Sequence, residues 1–179
     1  VQPVLTRADD AQVALEARPA LANRLQAALL LSIHANSSPS PASTGFETFV
    51  LAADTADRRI ARILRAENGG RMPAAENIVA SLRSEHVHNE GRELAAFVQD
   101  AMARTLHAPN RGALEAPFMV LANAQVPAVL VEIGFLSNPE ECERLADPAY
   151  QQRVAKALTA AVVRYLAERE WQQLRLAHE

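Results

Sequence analysis

The chain has 179 residues, of which 49% are hydrophobic and 22% charged, a composition typical of a soluble globular protein large enough for one core. The net charge of −3 does not indicate a nucleic-acid-binding surface, and no apolar run reaches the roughly 18 residues of a membrane span. The single cysteine, Cys142, excludes an internal disulfide and a cysteine-rich zinc site. The chain opens with Val1 rather than Met or a signal peptide, which indicates a processed or shortened product.

The first predicted elements are a strand, a helix and a second strand. Residues Val1–Thr6 predict a short strand at a sheet start or edge. Asp10 is a candidate cap for a helix from about Ala11 to Gln26, because apolar residues recur there every three or four positions. Residues Leu29–His34 form a short apolar run that ends in histidine, which predicts a buried strand.

The middle and end of the chain continue this alternation. A Ser- and Pro-rich loop over Ala35–Thr44 precedes a predicted strand over Phe46–Leu51, and Asp54 is a candidate cap for a helix that ends at about Glu67. The later predicted elements are a helix over Ala74–Arg83, an exposed polar segment over Ser84–Glu90, an amphipathic helix over Arg92–Leu106, a short strand over Phe118–Leu121, a buried strand over Pro127–Phe135, and helices that start at Asn138-Pro139 and at Asp147-Pro148.

Alternating strands and helices predict the fold class. We expect a single α/β domain over residues 1–179, with a mixed, mostly parallel twisted sheet and helices on both of its faces. Residues 170–179 are polar enough to form a frayed helical tail. In such a sheet, chemistry gathers beyond the carboxyl ends of the strands.

Two buried strands each carry a side chain capable of chemistry near that end. His34 could hold a metal or move a proton, or it could simply cap a core strand. Glu132 lies within Val-Leu-Val-Glu-Ile, where an ionised carboxylate must be paired, bound to metal or neutralised by a raised pKa, unless it turns to solvent at a sheet edge. A raised-pKa glutamate beside a metal-activated water is a good general base.

Two blocks of sequence resemble a known family. Ser32-Ile33-His34-Ala35-Asn36 and the run Val131 to Asn138 are similar to the two late signature blocks of the zinc-dependent N-acetylmuramoyl-L-alanine amidases, of the type used in daughter-cell separation. The similarity covers about residues 1–166. Supporting matches are Leu5-Thr6-Arg7, Arg18, Ala22-Asn23, Gly45-Phe46-Glu47-Thr48, Arg111-Gly112, Ala116-Pro117-Phe118 and Pro127 to Leu130.

The resemblance implies hydrolysis of the amide bond between N-acetylmuramic acid and the first L-alanine of the peptidoglycan stem peptide. Members of the family hold zinc with two histidines and a glutamate. His34 matches the second histidine ligand, and Glu132 matches the catalytic glutamate that takes a proton from the zinc-activated water. The resemblance also implies a periplasmic, cell-envelope or secreted location, a possible protein activator, and a groove bordered by the Ala35–Thr44 loop.

The chain departs from the family pattern at its start. The first signature block, with its histidine ligand, and the glutamate of the first helix are absent, so two of the family's three zinc ligands would lie upstream of Val1. If the sequence begins partway through a catalytic domain, we expect the chain as it stands to bind zinc poorly and to be inactive. The alternative is a degenerate, non-catalytic domain that still binds peptidoglycan or another component of the cell envelope.

The remaining polar candidates carry weaker signals. His86 and His88 predict an exposed pair, and Glu47 predicts a solvent-facing strand residue that could line the groove. His107 and His178 have no assignable partner, Ser32 and Ser37 lack a nucleophile-elbow context, and Cys142 is a packed or surface thiol.

Overall fold

The computed structural model describes residues 1–53, 55, 57–74 and 85–177. In chain order, its elements are α1 (Ala17–Arg24), β1 (Leu30–Asn36), β2 (Phe46–Leu51), α2 (Arg58–Glu67), α3 (Glu85–Thr105), β3 (Asn110–Ala116), β4 (Ala128–Phe135), α4 (Pro139–Ala146) and α5 (Pro148–Leu176). Within these described ranges, no helix is both long and apolar enough to cross a membrane.

The four strands form one mixed sheet in the order β1-β4-β2-β3. The pairs β1–β4 and β2–β3 are parallel, whereas β2 runs antiparallel to β4. This arrangement confirms the predicted mixed, mostly parallel sheet, since two of its three pairings are parallel.

Helices cover both faces of the sheet, as predicted. One face packs against α3 and α5 through residues such as Val131, Leu94 and Ala161. The other face packs against α2 and the turn that follows β3, through residues such as Leu130 and Ile63. Because side chains alternate along a strand, Glu132 shares the α2 face with Leu130 rather than the α3 face with Val131.

The predicted helix starts at Asn138 and Asp147 are confirmed, since each side chain accepts a hydrogen bond from a backbone N–H of the first turn that follows. The last helix continues to Leu176, and most side chains after Arg169 are exposed. The fraying of this helical tail stays a prediction.

The predictions for the first 26 residues were wrong in part. Residues Val1–Thr6 form no strand, and they are mostly exposed. The first helix begins at Ala17 rather than at Ala11, with Glu16 instead of Asp10 at its N-cap position. Pro19 explains the late start: it has no N–H to donate to Leu15, and it is tolerated in the first turn of a helix but not in the interior.

The strand predicted over Phe118–Leu121 is also wrong, because those residues form hydrogen-bonded turns in which Leu121 and Ala122 both donate to the Phe118 carbonyl. The strand is instead β3, whose Asn, Arg and Gly residues give a weak strand signal. Gly112 adopts a φ of +89°, at an irregularity in the β2–β3 register.

Two predictions concern residues around the gaps in the description. Asp54 lies outside the described residues, and Asp57 caps α2 instead, because its carboxylate accepts from the backbone N–H groups of Arg59 and Ile60. The helix expected over Ala74–Arg83 falls almost entirely outside the described residues. Part of the polar segment Ser84–Glu90 was misread, since α3 already begins at Glu85.

Candidate functional site

Three polar side chains line up across the sheet on its α2 face. His34 of β1 lies in register with Glu132 of β4, and Glu132 lies in register with Glu47 of β2. Register partners point to the same face, with Cβ atoms about 5 Å apart. We call His34, Glu132 and Glu47 the cross-sheet row. The structure therefore brings together the two strand-end residues that the sequence singled out.

A fourth residue, Glu67 at the end of α2, contacts the His34 end of the cross-sheet row. Its Oε2 lies 2.5 Å from His34 Nδ1, while His34 Nε2 contacts the Ser32 hydroxyl at 3.0 Å. One ligand atom from each of His34, Glu67 and Glu132 lies within 4.8 Å of the other two. Among the described residues, this is the one group of three His, Cys, Asp or Glu side chains that could hold a metal ion.

The C-terminal end of α2 is clamped, and this positions Glu67. Ile60, Ile63 and Leu64 are buried against the sheet. Asn68, only 1% exposed, donates to the Pro117 carbonyl at 3.0 Å and accepts from the Met119 N–H at 2.9 Å. Glu67 therefore sits on an anchored helix end rather than on a loop.

Sequence reasoning missed Glu67, although a signal was present. A carboxylate in the last turn of a helix faces the negative end of the helix dipole and is unfavourable there. Glu67 is the last residue of α2. An acid at such a position indicates a compensating partner, which the structure identifies as His34.

Glu132 is a buried acid without a partner among the described residues. It is fully buried, and neither of its carboxylate oxygens has a hydrogen-bond partner in that part of the chain. Burial, the largest cause, acts together with the nearby charges of Glu67 and Glu47 to raise the pKa of Glu132 from 4.5 to about 9. At neutral pH the metal-free side chain is consequently a neutral acid, ready to ionise when a positive charge comes close.

Glu47 contradicts the prediction of a solvent-facing residue, because it is fully buried. Its Oε1 accepts from Asn36 at 2.9 Å, and its Oε2 accepts from Arg59 at 2.5 Å and from Arg111 at 3.2 Å. The sequence reasoning failed here because all three donors are at least eleven positions away along the chain. As far as the structure describes the chain, the cross-sheet row thus contains one carboxylate with three hydrogen-bond donors and one with no donor.

The predicted Ser- and Pro-rich loop forms a fixed wall beside the carboxyl ends of β1 and β4. Ser38 donates its N–H to the Ser137 hydroxyl at 2.9 Å, and Asn138 donates its amide to the Pro41 carbonyl at 2.7 Å. The buried carboxylate of Glu141 accepts from the N–H groups of Gly45 at 2.8 Å and Phe135 at 2.7 Å. Glu141 therefore ties the start of β2 to the end of β4.

Of the other candidates, Ser32 contacts His34, and the rest of those that the structure describes take no part in this group. His86 is exposed and pairs with Glu90 on the same helix at 3.1 Å, and the half-buried His88 lies on that helix beside a small apolar pocket. His107 and Cys142 are exposed, and His178 lies outside the described residues.

Comparison with known proteins identifies related chains. Residues 1–164 match the family model described as N-acetylmuramoyl-L-alanine amidase. An uncharacterised Bacillus subtilis protein, YqiI, is 30% identical over 163 residues, which cover 91% of this chain and 63% of that protein. The N-acetylmuramoyl-L-alanine amidase AmiA of Escherichia coli is 30% identical over 176 residues, which cover 90% of this chain and 60% of that enzyme.

Solved structures show the same fold. The catalytic domain of the amidase CwlV from Bacillus (Paenibacillus) polymyxa superposes with a TM-score of 0.67 at 30% identity, covering 92% of this chain and 72% of that one. An N-acetylmuramoyl-L-alanine amidase from Clostridium difficile superposes with a TM-score of 0.69 at 28% identity, covering 93% and 72%. This chain spans 41% to 63% of the length of the first curated relatives.

Proposed function

Because this chain belongs to the N-acetylmuramoyl-L-alanine amidase family, we propose that it is catalytic-domain sequence of a peptidoglycan amidase. The bond cut is the amide between N-acetylmuramic acid and the L-alanine of the stem peptide. One observation carries the proposal: His34, Glu67 and Glu132 converge at the carboxyl ends of β1 and β4, beside a groove wall. A metal-dependent hydrolase needs donors that hold the ion and a general base beside it, and these three side chains can supply both.

The donor set fits zinc, which favours histidine nitrogen and carboxylate oxygen. His34 and Glu67 would hold the ion, which would replace the direct contact between their side chains. The partnerless carboxylate of Glu132 supports this assignment, because buried charges are normally paired or bound to a cation. Zinc, when bound, supplies a Lewis acid that polarises the scissile carbonyl and makes a water molecule more acidic.

Glu132 moves the proton. A nearby positive charge favours its ionised form and so turns the neutral acid into a base. The carboxylate accepts a proton from the attacking water, whose oxygen forms a bond to the carbonyl carbon. Glu132 then gives that proton to the alanine nitrogen as the carbon–nitrogen bond breaks, and its burial keeps bulk water from competing for the proton.

The proposed substrate sets the remaining expectations. Peptidoglycan lies outside the cytoplasmic membrane, so the protein would act in the periplasm, in the cell envelope or as a secreted enzyme. Its use in cell separation and its control by a protein activator are further parts of the proposal, and both rest on the family resemblance.

A Glu132→Ala substitution tests the assigned roles. In the protein extended upstream of Val1, we expect muropeptide release to fall by roughly 10³-fold because the proton acceptor is gone, while zinc stays bound. A His34→Ala substitution should reduce both zinc content and release. The measurements are zinc content and amine release from purified peptidoglycan.

Cleavage that survives Glu132→Ala would contradict the role of Glu132. Binding of peptidoglycan without zinc and without cleavage, in the extended protein as well, would favour the non-catalytic cell-envelope domain.

A further inference from the structure

Two arginines extend the cross-sheet row beyond Glu47. Arg59 comes from the first turn of α2, and Arg111 comes from β3, next to the Gly112 irregularity. Both guanidiniums contact Glu47 Oε2, at 2.5 Å and 3.2 Å. Glu47 is fully buried, whereas the arginine side chains are 36% and 28% exposed. The buried carboxylate therefore fixes the arginine pair, and both arginine side chains remain partly exposed.

The pair keeps donors that the described part of the chain does not use. Arg111 uses Nε on Glu47 and Nη1 on the Thr44 carbonyl, and its guanidinium lies 5.2 Å from the centre of the Phe135 ring. Arg59 uses Nη1 on Glu47, and its Nη2 is 3.9 Å from the Asp57 carboxylate, beyond hydrogen-bond range. Within the described residues, Arg59 Nη2 and Arg111 Nη2 are thus available to a bound anion.

The surrounding charge favours an anionic ligand. The exposed face of α2 carries three further arginines, Arg58, Arg62 and Arg65, and the helix has no acidic residue before Glu67. This concentration of positive charge contrasts with the net charge of −3 for the chain. Arginine pairs recognise carboxylates well, because each guanidinium presents several N–H donors in a fixed plane.

The distance between neighbouring strands indicates where an anion bound to the two arginines would lie relative to Glu132. Neighbouring strands are about 4.8 Å apart, so β3 is about 10 Å from β4 and its Glu132. An extended peptide advances about 3.3 to 3.6 Å per residue. A carboxylate about two residues beyond the scissile bond therefore falls within reach of the arginine side chains, which point back towards Glu47.

We propose that Arg59 and Arg111 form a specificity subsite for a free carboxylate on the peptide side of the scissile bond. This inference rests on the proposed amidase function. The second residue of a peptidoglycan stem is a D-glutamate joined through its γ-carboxyl, and its α-carboxylate is either free or amidated. The subsite takes the free form, and Glu47 acts as a positioning residue that holds both arginines.

A pair of ligands that differ in one group tests the subsite. The probes are N-acetylmuramoyl-L-alanyl-γ-D-glutamyl-L-lysine and the same compound with the α-carboxylate amidated. We expect the free acid to bind on the order of tenfold more tightly by calorimetry in EDTA, which removes zinc and so prevents cleavage of the probes, because the amide loses the charge-assisted hydrogen bonds. The preference should shrink as salt is added.

Protein variants then test whether the preference for the free acid depends on Arg59. Arg59→Gln should bring the two affinities close together, whereas Arg175→Gln, which removes an exposed arginine from the last turn of α5, should leave the ratio unchanged. If Arg59→Gln alone folds poorly, the double variant Glu47→Gln/Arg59→Gln replaces it, because it removes both charges of one ion pair. It too should bring the two affinities close together. Equal affinities of the unaltered protein for the two ligands would overturn the subsite alone. Failure to bind either ligand would overturn the proposed function as well.

Discussion

At the scale of single residues, the site contrasts two buried glutamates on neighbouring strands. Glu47 has three donors, two of them arginines, whereas Glu132 has none within the described ranges. A buried carboxylate without a partner is destabilising, and proteins retain such groups where function requires them. Glu132 is therefore expected to lower the stability of the metal-free protein.

The pH dependence of stability tests this expectation. Because the pKa of Glu132 is about 9 in the folded chain and near 4.5 when unfolded, only the unfolded chain loses this proton between those values. Stability should fall as pH rises through that window, by up to about 1.4 kcal/mol per pH unit. Glu132→Gln should remove most of this loss, measured by urea unfolding in EDTA at pH 5.5 and pH 8.

Glu143→Gln serves as the control, because it neutralises an exposed carboxylate on α4. If the unaltered protein and the Glu132→Gln variant lost stability equally between the two pH values, the raised pKa would be refuted.

At the scale of elements, α2 carries a functional side chain at each end. Its first turn presents Arg59 to Glu47, and its last residue, Glu67, contacts His34. Asp57 caps one end, and Asn68 ties the other end to the turn after β3. The position of this helix on the sheet thus determines the geometry of the site.

Asn68→Ala should destabilise the protein by roughly 2 to 4 kcal/mol, because it leaves a buried carbonyl and a buried N–H unsatisfied. It should also weaken zinc binding, since Glu67 loses its anchor. Chemical denaturation and zinc titration measure the two effects.

Asn23→Ala is a matched control, since Asn23 makes the same kind of paired bonds, to the Asn123 carbonyl and from the Gln125 N–H, at a solvent-accessible site. If both variants lost the same stability and the same zinc affinity, the hydrogen bonds of Asn68 would have no special role in holding Glu67 in place.

At the scale of the whole molecule, the candidate metal donors come from β1, β4 and α2, which are far apart in sequence. An ion held by the donors of His34 and Glu67, next to Glu132, would join the edge of the sheet to the helix layer that covers it. Because this ion would bind only to the folded protein, it must raise the free energy of unfolding.

Zinc at about 100 times its dissociation constant should add roughly 2.7 kcal/mol, or about 5 to 10 °C in the unfolding midpoint. Scanning calorimetry with zinc and with EDTA measures this shift. His34→Ala should abolish the shift, and His86→Ala, which removes an exposed histidine, should preserve it. A shift that persists in His34→Ala would place the ion elsewhere.

Features that depend on local pattern follow from the sequence alone. The apolar runs around His34 and Glu132 specified strands, and Asn138 and Asp147 specified helix starts, because strand pattern and capping act over a few residues. The predicted burial is confirmed for β4 but wrong in part for β1, which lies at the sheet edge and leaves Ile33 54% exposed. The two motifs that contain His34 and Glu132 also identified the family.

Features that depend on pairing between distant segments follow from the folded arrangement of the chain. The antiparallel register of β2 with β4 placed Glu47 beside Glu132, and the packing of α2 brought Glu67 to His34. Strand β3 depends on its neighbour β2, since its own sequence favours strand weakly. The physical reason is that a residue's burial and charge partners are set by strand register and helix docking, which no short stretch of sequence contains.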